Sequence, residues 1–478
     1  MRHYPYPFLF VIALKLMAVP SSSAQSQEYL TPPGAVVPDA SGHLYTEPPA
    51  VPDSPMKLSA KDTQAASLGK RYGLEELLSL ATNNNPTLRQ SRLHVSAELG
   101  KALQAGLYPN PVFSYEGEQI FIDVEGDKDS PGEWQGGIIQ QRFVTAGKLR
   151  LSREKYMRRA HVAEHLAMAQ RFRVCNDVRV RFYRTLAAVE ALSIKRESVK
   201  IAEDTAVTAQ ELYNMGQSNR PEVRRANVAL QRARLDVMRA ENTYQERFRS
   251  LTAVVGVPLD EGMLDGDLMP QCAVVSYEEA LGRLLAESPE LAAARAKLAV
   301  DSVTASRENV EWVPDVVVRG GAGYNFDAKE TTAMAGVALQ IPLYDRNQGT
   351  VRQARADYAR QREEIKRTEL TLQDRLASVY QHYVTSLQHV HEYERVILPE
   401  SKAAYAELLE SYKENRVDWP EVLMAQRDYF DARLTQVENL LDARQHEVLI
   451  YGFLLHDGLM AAPNIAPPGH IDSVPKPR

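Results

Sequence analysis

One short span has the residue types and spacing of a zinc peptidase. His161-Val162-Ala163-Glu164-His165 sets two histidines four apart on one helix face, with a carboxylate beside them. Two such imidazoles can hold zinc, and the glutamate can act as general base toward a metal-bound water. That chemistry also needs a third ligand and a pocket. The span lies instead within a long polar stretch dense in Arg, Glu and Gln, where a solvated helix face is the simpler reading. His382, His389 and His391 form a second group. They could hold a metal in passing within a channel, but they read more simply as surface residues of a helix. The two cysteines, Cys175 and Cys272, cannot build a disulfide framework or a cysteine-built metal centre. No nucleophile–base pair, phosphate loop or dinucleotide fingerprint stands out. The expectation is a protein that is not an enzyme and carries no resident metal or cofactor.

Composition narrows the class. The chain has 478 residues, 44% of them hydrophobic and 25% charged, which suits a folded protein. The net charge of −6 gives no nucleic-acid footprint. Residues 1–24 read as a secretory signal peptide: Arg2, then a mostly apolar run over Phe8–Val19, then Ser22-Ser23-Ala24 as a cleavage site. The absence of cysteine near that site argues against a lipid-anchored N-terminus. Residues 25–70 are rich in Pro, Ser, Ala and Asp and are expected to form an extended leader. No later window is apolar enough for a transmembrane helix. An exported chain of this kind is either soluble or enters a membrane as a β-barrel.

The elements that must position any site come in duplicate. Gly73–Leu88 lines up with Ser276–Leu291, pairing Glu76 with Glu279, Leu78 with Leu281 and Pro86 with Pro289. Glu211–Val223 lines up with Glu410–Val422, pairing Tyr213 with Tyr412, Pro221 with Pro420 and Glu222 with Glu421. The body is therefore a tandem duplication over 71–257 and 276–457, with a linker at 258–275 and a tail at 458–478. Each copy reads as a helix that Pro86 or Pro289 bends or restarts, a β-hairpin, one uninterrupted long helix, a sharp turn and a returning helix. The second copy opens with the capping box Ser276-x-x-Glu279. The long helices are expected over 148–214 and 348–413, and at 1.5 Å per residue each would reach about 100 Å. Their small apolar residues recur every three or four positions, as in helices packed side by side.

The hairpins are expected over about 111–122 with 134–144, and about 315–327 with 332–342. Val316, Val318, Ala322, Tyr324 and Phe326 share one face, with Arg319 and Asn325 on the other. Phe113, Tyr115 and Phe121 likewise oppose Ser114, Glu116 and Glu118. Strands of about ten residues with this alternation suit a tilted barrel wall, apolar outside and polar inside. A half-exposed soluble sheet would alternate similarly. Four strands cannot close a barrel, so membrane strands here require several chains to share one.

The duplication, Tyr108-Pro109-Asn110-Pro111 before the first hairpin, the run 141–148 (QRFVTAGK) after it and the run 341–349 (IPLYDRNQG) after the second resemble the TolC-type outer-membrane efflux family. The last segment resembles most the outer-membrane subunits of heavy-metal cation efflux systems. The resemblance implies a mostly α fold with a small membrane β part: a homotrimer with a shared 12-stranded β-barrel and a long periplasmic α-barrel. It implies contact with outer-membrane lipid and docking to a periplasmic adaptor (membrane fusion) protein and an inner-membrane RND-type pump. It places Gly216, Arg220, Glu222, Arg416, Asp418, Trp419 and Glu421 at the periplasmic aperture and adaptor-docking tips. Glu421 stands where the family often carries an aperture acid. Proline in the first helical turn followed by glutamate also simply suits a helix start. The expected function is a passive exit duct for metal cations or small toxic compounds. The alternatives are a type I protein secretion duct and, from another class, a soluble periplasmic coiled-coil scaffold.

Overall fold

The computed structural model describes residues 71–119, 132–216, 218–260, 263–270, 275–414, 416–461 and 463. The proposed signal peptide, the leader, the distal part of the first hairpin and Cys272 lie outside the described residues.

Both copies begin as expected. Strand β1 (Arg71–Gly73) leads into α1 (Leu74–Asn84), and α2 (Pro86–Gly106) restarts the helix one residue later. Proline cannot donate a backbone hydrogen bond, but at a first helical position that donor has no partner anyway. The Asn85 side chain caps the restart, accepting from the Thr87 amide at 2.9 Å. The first hairpin is β2 (Val112–Glu118) and β3 (Trp134–Phe143). Helix α3 (Lys148–Asn214) then runs 67 residues without a break, about 100 Å at 1.5 Å per residue. Helix α4 (Arg220–Val255) returns along it, and β4 (Met263–Asp265) follows inside the linker. The second copy repeats this as α5 (Tyr277–Glu287), α6 (Pro289–Asn309), β5 (Val316–Asn325), β6 (Glu330–Leu339), α7 (Gln348–Glu392), α8 (Leu398–Lys413) and α9 (Trp419–Tyr451). The serine half of the capping box is seen at α5, where Ser276 Oγ accepts from the Glu279 amide.

One expectation fails. The second long helix is not uninterrupted, because a π-helical turn over Tyr393–Ile397 joins α7 to α8. The cause lies in the sequence: Pro399 sits inside the stretch. It has no N–H for the carbonyl four residues back, and its ring crowds that carbonyl. Widening the preceding turn to π spacing relieves both.

Each repeat builds most of one buried cluster, and Phe430, Val437 and Ala169 join the clusters across the repeats. Leu77, Val174, Val178, Phe182, Leu251 and Val254 are all at most 1% exposed in one cluster, and Leu284, Leu291, Leu372 and Phe453 anchor another. Replacing such a leucine by alanine typically costs about 2–5 kcal/mol. β1 pairs in parallel with β4, tying the linker to the start of the first copy. The end of the chain is bound in as well. Asn176 donates to the Gly452 and Leu455 carbonyls at 2.9 and 2.7 Å, and Gln170 donates to the Gly458 carbonyl at 2.8 Å.

The four long strands form one antiparallel sheet in the order β2-β3-β5-β6. The two hairpins meet through β3 and β5, so β2 and β6 are its open edges. Helix α3 starts at the foot of this sheet. There Lys148 Nζ and Arg142 Nη2 hold Asp315 at 2.9 and 2.6 Å. Burial alone would raise the Asp315 carboxyl, but the Lys148 and Arg142 bonds hold it below its ordinary value. Among the described residues no helix is long and apolar enough to cross a membrane.

Candidate functional site

The chain offers two candidate regions: the helix turns far from the sheet, and the sheet itself. Local chemistry fixes the first turn. Gly216 follows the end of α3 with φ +76°, and no atom lies within 4 Å of where a Cβ would sit. Its backbone conformation, not space, calls for glycine. Asn219 caps α4 by accepting from the Glu222 amide at 3.1 Å. Glu222 folds back in turn, accepting from Ser218 Oγ at 2.6 Å and Asn219 Nδ2 at 2.7 Å. This is a reciprocal capping arrangement, and it occupies both carboxylate oxygens.

The second turn is built differently. The Asp418 side chain makes no capping bond to α9. Arg416 pairs with Glu414 at 3.1 Å. Trp419 packs on Tyr412 with ring centroids 4.6 Å apart. Glu421 and Arg220 are exposed, and neither pairs with a charged side chain among the described residues. The duplication thus left two carboxylates at matching positions, one spent on capping and one open. The two tips share an electrostatic neighbourhood: burial, and then the Glu222 charge, push the Tyr412 hydroxyl above its ordinary pKa.

The sheet supplies the second region. Phe113, Tyr115, Ile139, Val318, Tyr324, Val337 and Leu339 are between 40% and 71% exposed. The register places all of them on one face. A broad apolar surface of this kind is abnormal in water. Opposite it lie Glu116, Glu118, Trp134, Ile138, Arg319 and Glu330. The alternation anticipated both faces, although Trp134 and Ile138 put aromatic and aliphatic groups on the side expected to be polar.

Among the described residues no group of three His, Cys, Asp or Glu could hold a metal ion. His161 Nδ1 contacts Glu164 at 3.1 Å on an exposed face, and burial depresses His165 below its ordinary pKa. His391 contacts Arg395, and His382 stacks on His446. That stacked pair was not anticipated, since the two residues lie on different helices and share no local motif.

Comparison with known proteins agrees with this architecture. The chain is 26% identical over 369 residues to the cobalt-zinc-cadmium resistance protein CzcC of Cupriavidus metallidurans, covering 76% of this chain and 84% of that protein. It is 20% identical over 453 residues to the probable outer membrane lipoprotein SilC of Salmonella typhimurium, covering 89% and 93%. The crystal structure of the transmembrane channel CusC superposes with a TM-score of 0.68 at 16% identity, covering 82% of this chain and 96% of that one. The family model described as outer membrane efflux protein matches residues 77–257 and 280–454, and the chain belongs to that family.

Proposed function

We propose that this outer membrane efflux protein is the exit-duct subunit of a tripartite pump that expels metal cations. The carrying observation is the sheet, whose exposed face is apolar and whose edges β2 and β6 are both open. Open edges cannot stand in lipid, because each leaves a row of unpaired backbone groups. Three chains joined edge to edge would pair every edge and give a barrel of 12 strands. The long hairpins of the three chains would continue it as a periplasmic α-barrel. In this reading the signal peptide exports the chain, and the apolar face meets outer-membrane lipid. The tips meet a periplasmic adaptor protein beneath which an inner-membrane RND-type pump supplies the energy.

The metal assignment rests on the resistance activity named for CzcC and on the segment Ile341–Gly349. At the tips, Glu421 is the proposed aperture acid, since it is exposed and open. Gly216, Arg220, Arg416, Asp418 and Trp419 would shape the docking surface. Glu222 would act there mainly through its cap. A ring of Glu421 carboxylates at a constriction would favour cations.

The test has two arms. Cross-linking in detergent should trap a trimer, and expression in a strain lacking its own duct should restore growth on cobalt, zinc or cadmium. A monodisperse monomer with intact β signal would sink the duct. A trimer without any gain in metal tolerance would sink the cargo assignment alone.

A further inference from the structure

We propose that Arg319 and Trp134 tune the membrane end of the duct from inside, Arg319 setting its ion preference and Trp134 its bore. This rests on the reading of the sheet as the wall of a shared water-filled lumen. Three observations carry it.

The first is crowding. Along most of β5 and β6, residues on the apolar face are exposed, whereas those on the face bearing Arg319 are mostly half-buried. Ile138, on that same face, is only 3% exposed. A curved sheet crowds the side chains on its concave side, so this face is the inner one.

The second is glycine placement. Trp134 lies flat across the wall, and its Nε1 donates to Thr332 Oγ1 two strands away at 3.0 Å. The ring, together with the Ala322 and Gln135 carbonyl oxygens, occupies the space that a Cβ on Gly136 or Gly323 would take. Arg319 lies the same way over Gly336, its Nε 3.0 Å from where a Cβ would sit. The inner wall lacks Cβ atoms just where its two bulkiest groups rest. Both therefore stay against the wall and leave the bore open.

The third is charge order. Glu118, Trp134, Asn325 and Glu330 occupy one row at the turn end of the inner face. Arg319 lies toward the helix end of that face, in the row of Gln140 and Gly336. Arg142 beyond it is neutralised by Asp315. Arg319 has no carboxylate partner among the described residues. In a trimer each charge occurs three times, giving a positive ring and an acidic mouth in series. Fixed charges beside a low-dielectric wall focus the field in the bore and select permeant ions by sign.

The test is single-channel recording of the purified trimer in planar bilayers under a potassium chloride gradient. Arg319→Gln should raise the cation-over-anion permeability ratio by about twofold, and Arg319→Glu should raise it further. Trp134→Ala, which removes the ring from the inner wall, should raise conductance, and Trp134→Phe, which loses only the bond to Thr332 and part of the ring, should raise it less. As a check free of folding effects, assembled Arg319→Cys channels should shift further toward cations when a negatively charged thiol reagent is added, and the parent should not. Unchanged selectivity in Arg319→Glu and in the modified Arg319→Cys channels would overturn the role of Arg319. Unchanged conductance in assembled Trp134→Ala channels would overturn that of Trp134. Either result would leave the duct standing. A wild-type trimer that forms no channel would overturn the duct reading and this inference together.

Discussion

The two long helical hairpins repeat the same order of elements, yet they are held together differently. In the first, α3 continues unbroken to its tip, and Thr205, Ala206 and Ala209 near its lower end are buried. In the second, a π-helical turn precedes Pro399, and no described residue of α8 is buried. The first tip is closed by a reciprocal cap, while the second has an N-cap aspartate with no capping bond. The two hairpins follow matching paths, but the second has less buried surface near its tip and no side-chain cap there. The weaker copy carries the open carboxylate Glu421. Segments with few buried contacts and interrupted backbone bonds are those that open at low cost. The second hairpin is therefore expected to open locally at lower cost than the first.

The largest expected effect comes from giving the first hairpin the defect of the second. Lys200 on α3 corresponds to Pro399 and is exposed. Lys200→Pro would remove a bond from a regular helix and should destabilise the protein by about 3 kcal/mol. Pro399→Ala should change stability by under about 1 kcal/mol, because the π-turn already absorbs the proline and its removal mainly frees the unfolded chain. Denaturant unfolding of the two variants measures the contrast. Amide exchange over residues 393–405 should also slow in Pro399→Ala. Equal losses in the two variants would mean the hairpins are mechanically alike.

The caps sharpen the contrast on a smaller scale. Asn219→Ala removes a bond to the Glu222 amide and should cost about 1 kcal/mol. Asp418→Ala removes no capping bond and should cost only a few tenths of a kcal/mol, mostly from the helix dipole. Fraying of each tip, followed by hydrogen exchange, separates the two. Function should reverse that order. Glu421→Ala should lower the cation preference of the channel, whereas Glu222→Gln should leave it nearly unchanged. Equal changes in selectivity would remove the distinction between the open and the capped carboxylate.

Much of this was legible in the sequence because it is written in local chemistry. Pro86, Pro289, Pro221 and Pro420 mark helix starts, and Ser276 with Glu279 marks a cap. Strand alternation named the two faces of the sheet before any register was known. The π-turn had a visible cause in Pro399, which the reading of an uninterrupted helix overlooked. Other features depend on partners distant in sequence. Gln170 and Asn176 look like ordinary polar residues of a long helix, yet they bind the chain end near residues 452–458. β1 and β4 are three residues each, too short for a periodic signal, and exist only because the fold brings them together. Which matching glutamate was open also depended on geometry, since Glu222 and Glu421 follow the same proline.

The smallest expected effect tests whether the two tips share one electrostatic environment. The Tyr412 hydroxyl is held above its ordinary pKa first by burial and second by the negative charge of Glu222. Both causes disfavour the phenolate. The sign for stability follows. Above the ordinary tyrosine value of about 10, the unfolded chain releases this proton while the folded one keeps it. Tyr412 therefore contributes a loss of stability that begins near that pH and grows until the folded group also ionises. Glu222→Gln removes the second cause and leaves the first. The Tyr412 titration should then move part of the way back toward its ordinary value, and stability should fall less steeply at alkaline pH. A difference titration of phenolate absorbance between Glu222→Gln and Glu222→Gln with Tyr412→Phe isolates that one hydroxyl, with the matching pair on the Glu222 background as reference. If the Tyr412 value is the same with and without the Glu222 charge, the tips do not sense each other, and the two hairpins would act at the aperture as separate bodies.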